Sequence, residues 1–245
     1  MSLSDSDLSL VQRLWAKIKG IFATFIILGY LPFIIVQIYF LRHKDNGKKA
    51  RLKCWVFFSI NRFKVERIGE FDESAQLIVL NHQSVGDIIF LESSHPKNIC
   101  WIAKKQLGEV PFYGYALTLP EMILIDRQDK GGTLHLLKEV KNRLAQGRPI
   151  VIFPEGTRGK GKEKLLPFKS GAKIIAQKFH LKIQPILLIN SRKMYDTSPV
   201  RSLSNTARMV MLEAFVPNFS DEKWYENLEK LMNEEYTKHY AQMNP

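Results

Sequence analysis

The chain has 245 residues, 45% hydrophobic and 24% charged, a globular balance that excludes a disordered or fibrous protein. Lys and Arg outnumber Asp and Glu by 36 to 24, and the net charge of +12 favours anionic partners: nucleic acid, acidic lipid headgroups or phosphorylated small molecules. Two cysteines, Cys54 and Cys100, can build neither a disulfide framework nor a metal cluster; both stand in apolar runs and fit a reducing compartment.

In residues 7–20, Leu8, Val11, Trp15 and Ile18 recur at helical spacing, with Arg13, Lys17 and Lys19 off that stripe. The pattern predicts an amphipathic helix with Asp7 as N-cap and Trp15 as an interfacial anchor. Residues 21–41 then run without a charge for a full spanning length, too late and too long for a signal peptide. Basic residues flank both ends, so the one-sided excess that orients a spanning helix is missing. Gly29 and Pro32 fall mid-segment, where they can kink or reverse the chain. The expectation is a helix–break–helix dipping into one leaflet with both ends cytoplasmic; the alternative is a single kinked span. Residues 1–53 would thus be a membrane anchor with a basic flank, and residues 54–245 the catalytic or binding domain. Attraction of juxtamembrane Lys and Arg to anionic lipid accounts for much of the charge without nucleic acid.

Beyond residue 60, strand and helix patterns alternate. Strands are predicted over 75–80, 98–103, 121–126, 149–153, 181–189 and 206–216. Helices are predicted over 86–94, 130–147, 170–179 and 220–241, the last opened by Ser220, Asp221 and Glu222. Apolar strands between amphipathic helices indicate an α/β fold: a mixed, largely parallel sheet covered by helices on both faces, carrying an N-terminal membrane-embedded helical segment. Ligands of such sheets gather where strands end and helices begin.

Three stretches at those points carry chemistry. NHQSVGD (81–87) holds His82 and Asp87 five apart, roughly 140° around a regular helix, so they meet only if the chain turns at His82. Two readings stand: an ordinary cap and first-turn acid, or a carboxylate that fixes the imidazole tautomer and leaves Nε2 as a base. FPEGTRGKGKEKLLPFKSG (153–171) interleaves Gly156, Gly159 and Gly161 with Arg158, Lys160 and Lys162, either a solvated basic turn or a phosphate site in which Glu155 orients a substrate hydroxyl. Arg127 could add a second phosphate contact or pair with Asp126 or Asp129; Lys104 and Lys105 could add a third. Nucleotide-binding spacing starts at Gly156, but Glu163 stands where Ser or Thr must hold magnesium, and Pro167 interrupts the following helix. No G-x-S-x-G, HExxH or CxxC occurs, so a His–Asp base would have to activate a nucleophile brought by the substrate.

Together, NHQSVGD, ILIDR (123–127), FPEGTR (153–158) and QPILL (184–188) resemble the four ordered blocks of the 1-acyl-glycerol-3-phosphate (lysophosphatidate) acyltransferases of the glycerolipid acyltransferase superfamily. The resemblance covers roughly residues 55–220. It departs at Gly159, where a serine is often seen, and at Gln184, where an aliphatic residue is usual. It implies that an acyl-CoA or acyl carrier protein thioester donates to the sn-2 hydroxyl of lysophosphatidic acid, or, as an alternative, that another lysolipid or glycerol-3-phosphate is acylated or hydrolysed. His82 would take the hydroxyl proton, with Asp87 orienting it. Glu155, Gly156, Thr157, Arg158 and Arg127 would form the glycerol-phosphate site, with Lys104 and Lys105 nearby. The resemblance further implies no cofactor or metal, no nucleic-acid partner, a phospholipid bilayer as partner surface, and the inner membrane with the catalytic domain facing the cytoplasm.

Overall fold

The computed structural model describes residues 8–126 and 131–244. A single helix, α1 (Leu10–Asp45), covers the whole apolar segment. It starts at Ser9, which forms a capping box with Gln12, and ends at Asn46 in the left-handed conformation, with Arg42, His43 and Lys44 in the negative last turn. The expected break is absent: α1 runs through Pro32. An interior proline removes one backbone hydrogen bond, which a long run of good helix-packing residues absorbs. Asp7, the expected cap, lies outside the described residues.

Short helices α2 (Lys48–Leu52) and α3 (Trp55–Asn61) lead into β1 (Lys64–Ile68), β2 (Leu77–Leu80), α4 (Val85–Ser94), β3 (Cys100–Lys104), α5 (Lys105–Gly108), α6 (Tyr115–Thr118) and β4 (Ile123–Ile125). Then come α7 (Gly132–Ala145), β5 (Ile150–Ile152), α8 (Gly171–Phe179), β6 (Ile183–Ile189), α9 (Ser191–Met194), β7 (Asp196–Thr197), β8 (Val200–Arg201), β9 (Thr206–Met211) and α10 (Trp224–Met243). The main sheet has the order β1-β9-β6-β2-β5-β3-β4 and is parallel except between β6 and β9, as expected for a mixed, mostly parallel α/β sheet. β7 and β8 form a separate hairpin. Every residue of β2, β5 and β6 is buried, the signature of a sheet covered on both faces. The predicted strand over 206–216 stops at Met211, and α10 begins at Trp224, four residues past Ser220. Gln184, unusual within such a strand, is buried; it accepts from Asp72 N (3.0 Å) and donates to Glu70 O (2.8 Å), satisfying the loop before β2.

α1 is not detached from this domain. Ala16, Gly20 and Ala23 are buried, and Ser202 N donates to Ala16 O (2.8 Å). A Cβ added at Gly20 would lie 2.3 Å from Arg201 Cα, so only glycine permits the contact. Further along, Ile34 and Ile38 pack with Ala50 and Leu119. Most of the other apolar side chains on α1, from Leu10 to Phe40, remain exposed.

Candidate active site

Parallel pairing of β2 with β5 (Val79 opposite Ile152) brings the two loops leaving these strands together, so His82 and Glu155 meet across 73 positions of sequence. After β2 the chain turns at Asn81, whose side chain bonds both ways with the Leu188 backbone of β6 (3.0 and 2.7 Å). Ser84 then caps α4. Asp87 stands in the first turn and folds back: its Oδ2 lies 2.8 Å from His82 Nδ1 and also accepts the backbone N–H groups of Gln83 (2.6 Å) and Ser84 (2.8 Å). Asp87 is fully buried. One carboxylate oxygen thus closes the turn and faces Nδ1, which favours the tautomer with its N–H there and turns Nε2 toward the site.

The loop after β5 grips His82 from the other side. Glu155 Oε1 accepts His82 N–H (2.8 Å), Oε2 accepts Leu166 N–H (3.0 Å), and Gly159 N–H donates to His82 O (2.7 Å). Gly156 makes the turn possible at φ +68°. At Gly159 a Cβ would lie 3.3 Å from Glu155 Oε2 and 3.4 Å from His82 O, so this glycine permits the close approach of the two loops. Glu155 is buried and its oxygens serve backbone amides; it holds the loops together rather than facing a substrate hydroxyl. Burial pushes its carboxyl up from 4.5 to about 7, against the pull of those two amides.

Arg158 is exposed at the mouth, its Nε 3.4 Å from His82 Nε2 and its Nη1 3.2 Å from Thr197 Oγ1. The Nε2 edge of the imidazole therefore faces a cation that donates to it, an arrangement suited to an alcohol carried on an anionic molecule once that molecule's anion draws the guanidinium away. Thr157 is exposed next to it. Lys104 and Lys105 lie at the end of β3, two strands from β2 and so roughly 10 Å across the sheet, both exposed. Arg127 lies outside the described residues. Among the described residues no cluster of three or more His, Cys, Asp or Glu side chains could hold a metal. Burial pushes the Cys54 thiol up to about 12 and raises that of Cys100, which suits packing rather than nucleophilic attack.

Several contributors escape motif reading. Phe153 stacks on the His82 ring (3.8 Å between centroids, 12° between planes), and Trp101 stacks on Phe153 at 5.2 Å. Trp101 Nε1 donates to Glu92 Oε1 (2.7 Å), itself paired with Arg51 at 2.6 Å, so a buried chain runs from the segment after α1 to the imidazole. Arg192 donates to Gly159 O (3.1 Å) and Asp196 Oδ2 (2.9 Å) and braces the glycine loop. α10 straps that loop along its length: Tyr225 OH donates to Lys169 O (2.7 Å), Tyr236 OH to Lys162 O (3.0 Å) and Thr237 Oγ1 to Glu163 O (3.1 Å). Only Phe153 lies inside a motif; the others come from distant segments and left no local signal. Beside Phe153 opens a cavity of about 240 Å³, lined mainly by Ile102, Ile125, Leu136, Ile152 and Phe153 with Gly156 at its edge.

Residues 62–189 match the family model described as Acyltransferase. The chain belongs to the acyltransferase family. It is 56% identical, over 93% of its own length and 96% of the relative's, to the 1-acyl-sn-glycerol-3-phosphate acyltransferase of Helicobacter pylori. It is 33% identical to the lyso-ornithine lipid O-acyltransferase of Brucella abortus over 58% of this chain and 52% of that protein. The solved structure of the 1-acyl-sn-glycerophosphate acyltransferase PlsC from Thermotoga maritima superposes with a TM-score of 0.70 at 18% identity, covering 95% of this chain and 97% of that one, and so shows the same fold. In this acyltransferase all of His82, Asp87, Phe153, Glu155 and Arg158 fall within the matched segment, and the straps from α10 lie beyond it.

Proposed function

We propose that this acyltransferase moves an acyl group from a thioester, acyl-CoA or acyl carrier protein, to the sn-2 hydroxyl of 1-acyl-glycerol-3-phosphate, giving phosphatidic acid. The observation that carries the reading is the His82 imidazole held by Asp87 at Nδ1 and flanked by Arg158 at Nε2. Nε2 takes the hydroxyl proton as the oxygen attacks the thioester carbonyl; the C–O bond forms, the C–S bond breaks, and the thiolate leaves. With a thiol pKa near ~8.5 the leaving group needs little help, and the proton on His82 returns to it. Asp87 steadies the imidazolium that forms between these events. Arg158, with Arg127 and the exposed Thr157, takes the acceptor's phosphate; Lys104 and Lys105 line the approach. The apolar cavity beside Phe153 is smaller than a whole-ligand pocket of roughly 300–1,000 Å³ and suits one apolar segment of a substrate.

The domain works at a bilayer surface, on the cytoplasmic side of the inner membrane, with α1 in the lipid. Contacts with the domain extend along α1 from Ala16 to Ile38, about 33 Å at 1.5 Å per residue. A helix crossing upright would pull the segments packed along it, the Arg201–Ser202 backbone at one end and the basic α2 at the other, into the hydrocarbon, so α1 lies along one leaflet.

The test is direct. Purified full-length protein in mixed micelles receives acyl-CoA or acyl carrier protein thioester with a panel of lysolipids, lyso-ornithine lipid included, and the products are identified. Phosphatidic acid from lysophosphatidic acid is expected; free fatty acid alone, or preference for an acceptor without phosphate, overturns the reading. Folded His82→Ala should lose ~10²–10⁴-fold or more in turnover, and near-normal transfer by that variant would refute the base.

A further inference from the structure

Between β3 and α6 the chain folds into a knuckle, residues 107–115, that projects its apolar side chains outward. Leu107, Val110, Phe112 and Tyr115 are exposed, Phe112 by 73%. Phe112 also adopts φ +62°, a left-handed conformation that costs a bulky residue energy and that no internal packing of its ring repays. The backbone, by contrast, is closed on itself. Gly114 N donates to Val110 O (2.8 Å), Tyr115 N to Phe112 O (3.1 Å) and Ala116 N to Tyr113 O (2.9 Å). Gly114 sits so close to the Gly108 carbonyl that a Cβ would come within 2.1 Å of it. With apolar side chains outside and these backbone groups paired inside, the segment suits shallow entry into lipid, with the exposed Glu109 kept at the headgroup level.

Position points to the same partner. α6, which continues the knuckle, packs against α1, and Leu119 just beyond it joins Ile34 and Ile38 of α1 in one cluster. The knuckle's apolar surface therefore continues the exposed apolar face of α1, and Lys104 and Lys105 precede it as cations for anionic headgroups. On its inner side Tyr113 is close enough to Arg158 for that cation to offset part of the rise that burial gives its phenol. The knuckle thus joins the outer apolar surface to the mouth of the site.

We propose that residues 107–115 form a second membrane-inserting element, which with α1 makes a two-point contact with the bilayer and presents the His82 mouth to the lipid surface. The inference rests on the placement of α1 in lipid, and the test separates the two. In the full chain with Cys54 and Cys100 replaced by alanine, single cysteines at Phe112, at Phe25 on α1 and at Lys230 on α10 carry an environment-sensitive fluorophore. The protein is bound to phosphatidylglycerol–phosphatidylethanolamine vesicles containing doxyl-labelled lipid. Quenching at positions 25 and 112 but not 230 is expected. Quenching at 25 without 112 overturns the second contact and leaves α1 in the membrane; quenching at neither removes both. A variant pair that keeps the native cysteines guards against misfolding. Val110→Asp with Phe112→Asp, both exposed positions, should weaken vesicle partitioning by roughly tenfold or more with an unchanged melting temperature in detergent, and unchanged partitioning would overturn the proposal.

Discussion

The buried Glu155 makes the pH dependence of stability a probe of how the loops after β2 and β5 are joined. Its carboxyl titrates near 7 instead of 4.5 because burial outweighs the two backbone amides it accepts. At about 1.36 kcal/mol per unit, that difference is worth about 3 kcal/mol. The folded value lies above the unfolded one, so the native state holds the extra proton between pH 4.5 and 7. Stability therefore falls as pH rises through that window and levels off above it. Glu155→Gln does not titrate. Its amide offers one acceptor oxygen, while its NH2 meets the second backbone N–H donor to donor, where the hydroxyl oxygen of the protonated acid can still accept. The variant should therefore melt below the wild type at pH 5, by an offset that does not vary with pH. Between pH 5 and pH 8 the variant should gain on the wild type by up to about 3 kcal/mol, roughly 6–12 °C in melting temperature for a chain of this size. Thermal unfolding of both proteins in detergent at the two pH values measures this, and the comparison cancels every other titrating group. A difference that does not change with pH would refute the reasoning. A wild type that gains on the variant at pH 8 would show that the two amides outweigh burial.

Arg158→Ala should raise the acceptor KM by roughly 10–100-fold, the worth of a charge-assisted hydrogen bond, and leave kcat nearly intact; a fall in kcat alone would remove Arg158 from the phosphate site. Asp87→Asn keeps the shape of the turn but removes the charge that steadies the imidazolium, so turnover should fall by ~10²-fold or more with little change in KM, as steady-state kinetics on the folded variant would report. Gly20→Ala and Gly29→Ala gain the same helix propensity of about 1 kcal/mol, yet only Gly20 faces the Arg201 backbone, while nothing lies within 4 Å of Gly29. Melting temperature should drop for the first, by about 1–3 kcal/mol of stability, and hold or rise for the second.

The difference between what could be read in the sequence and what could not follows the range of the interactions. Apolar runs such as Leu77–Leu80 and Ile183–Ile189 declare themselves because a strand buried on both faces must be apolar throughout. β1 is mostly exposed and charged, KVERI, and owes its strand to pairing with β9, so it had no signature of its own. Pro32 misled for the opposite reason: proline is a strong local signal, but the packing of Ile34 and Ile38 against Ala50 and Leu119 carries the helix past it. Glu155 was recognisable as a loop acid, while its direction was not, because that depends on where His82 N–H and Leu166 N–H end up.

The same reasoning supports the proposed role of His82 as a base over that of a strand cap. Taken with its neighbours in sequence, it is an imidazole next to a helix N-terminus, and Asp87 is a common capping acid. What weighs against the ordinary reading is that three further parts of the residue are held from elsewhere: its N–H by Glu155, its carbonyl by Gly159, one ring face by Phe153. Those three belong to the loop after β5, and that loop is in turn braced by Arg192 and by Tyr225, Tyr236 and Thr237 of α10. A capping histidine needs none of this. An imidazole that must keep Nε2 aimed at a substrate hydroxyl through proton uptake and release needs all of it, since tautomer, ring plane and backbone must stay put while its charge changes. On the proposed mechanism the C-terminal helix, though far from His82, serves catalysis through the loop it holds.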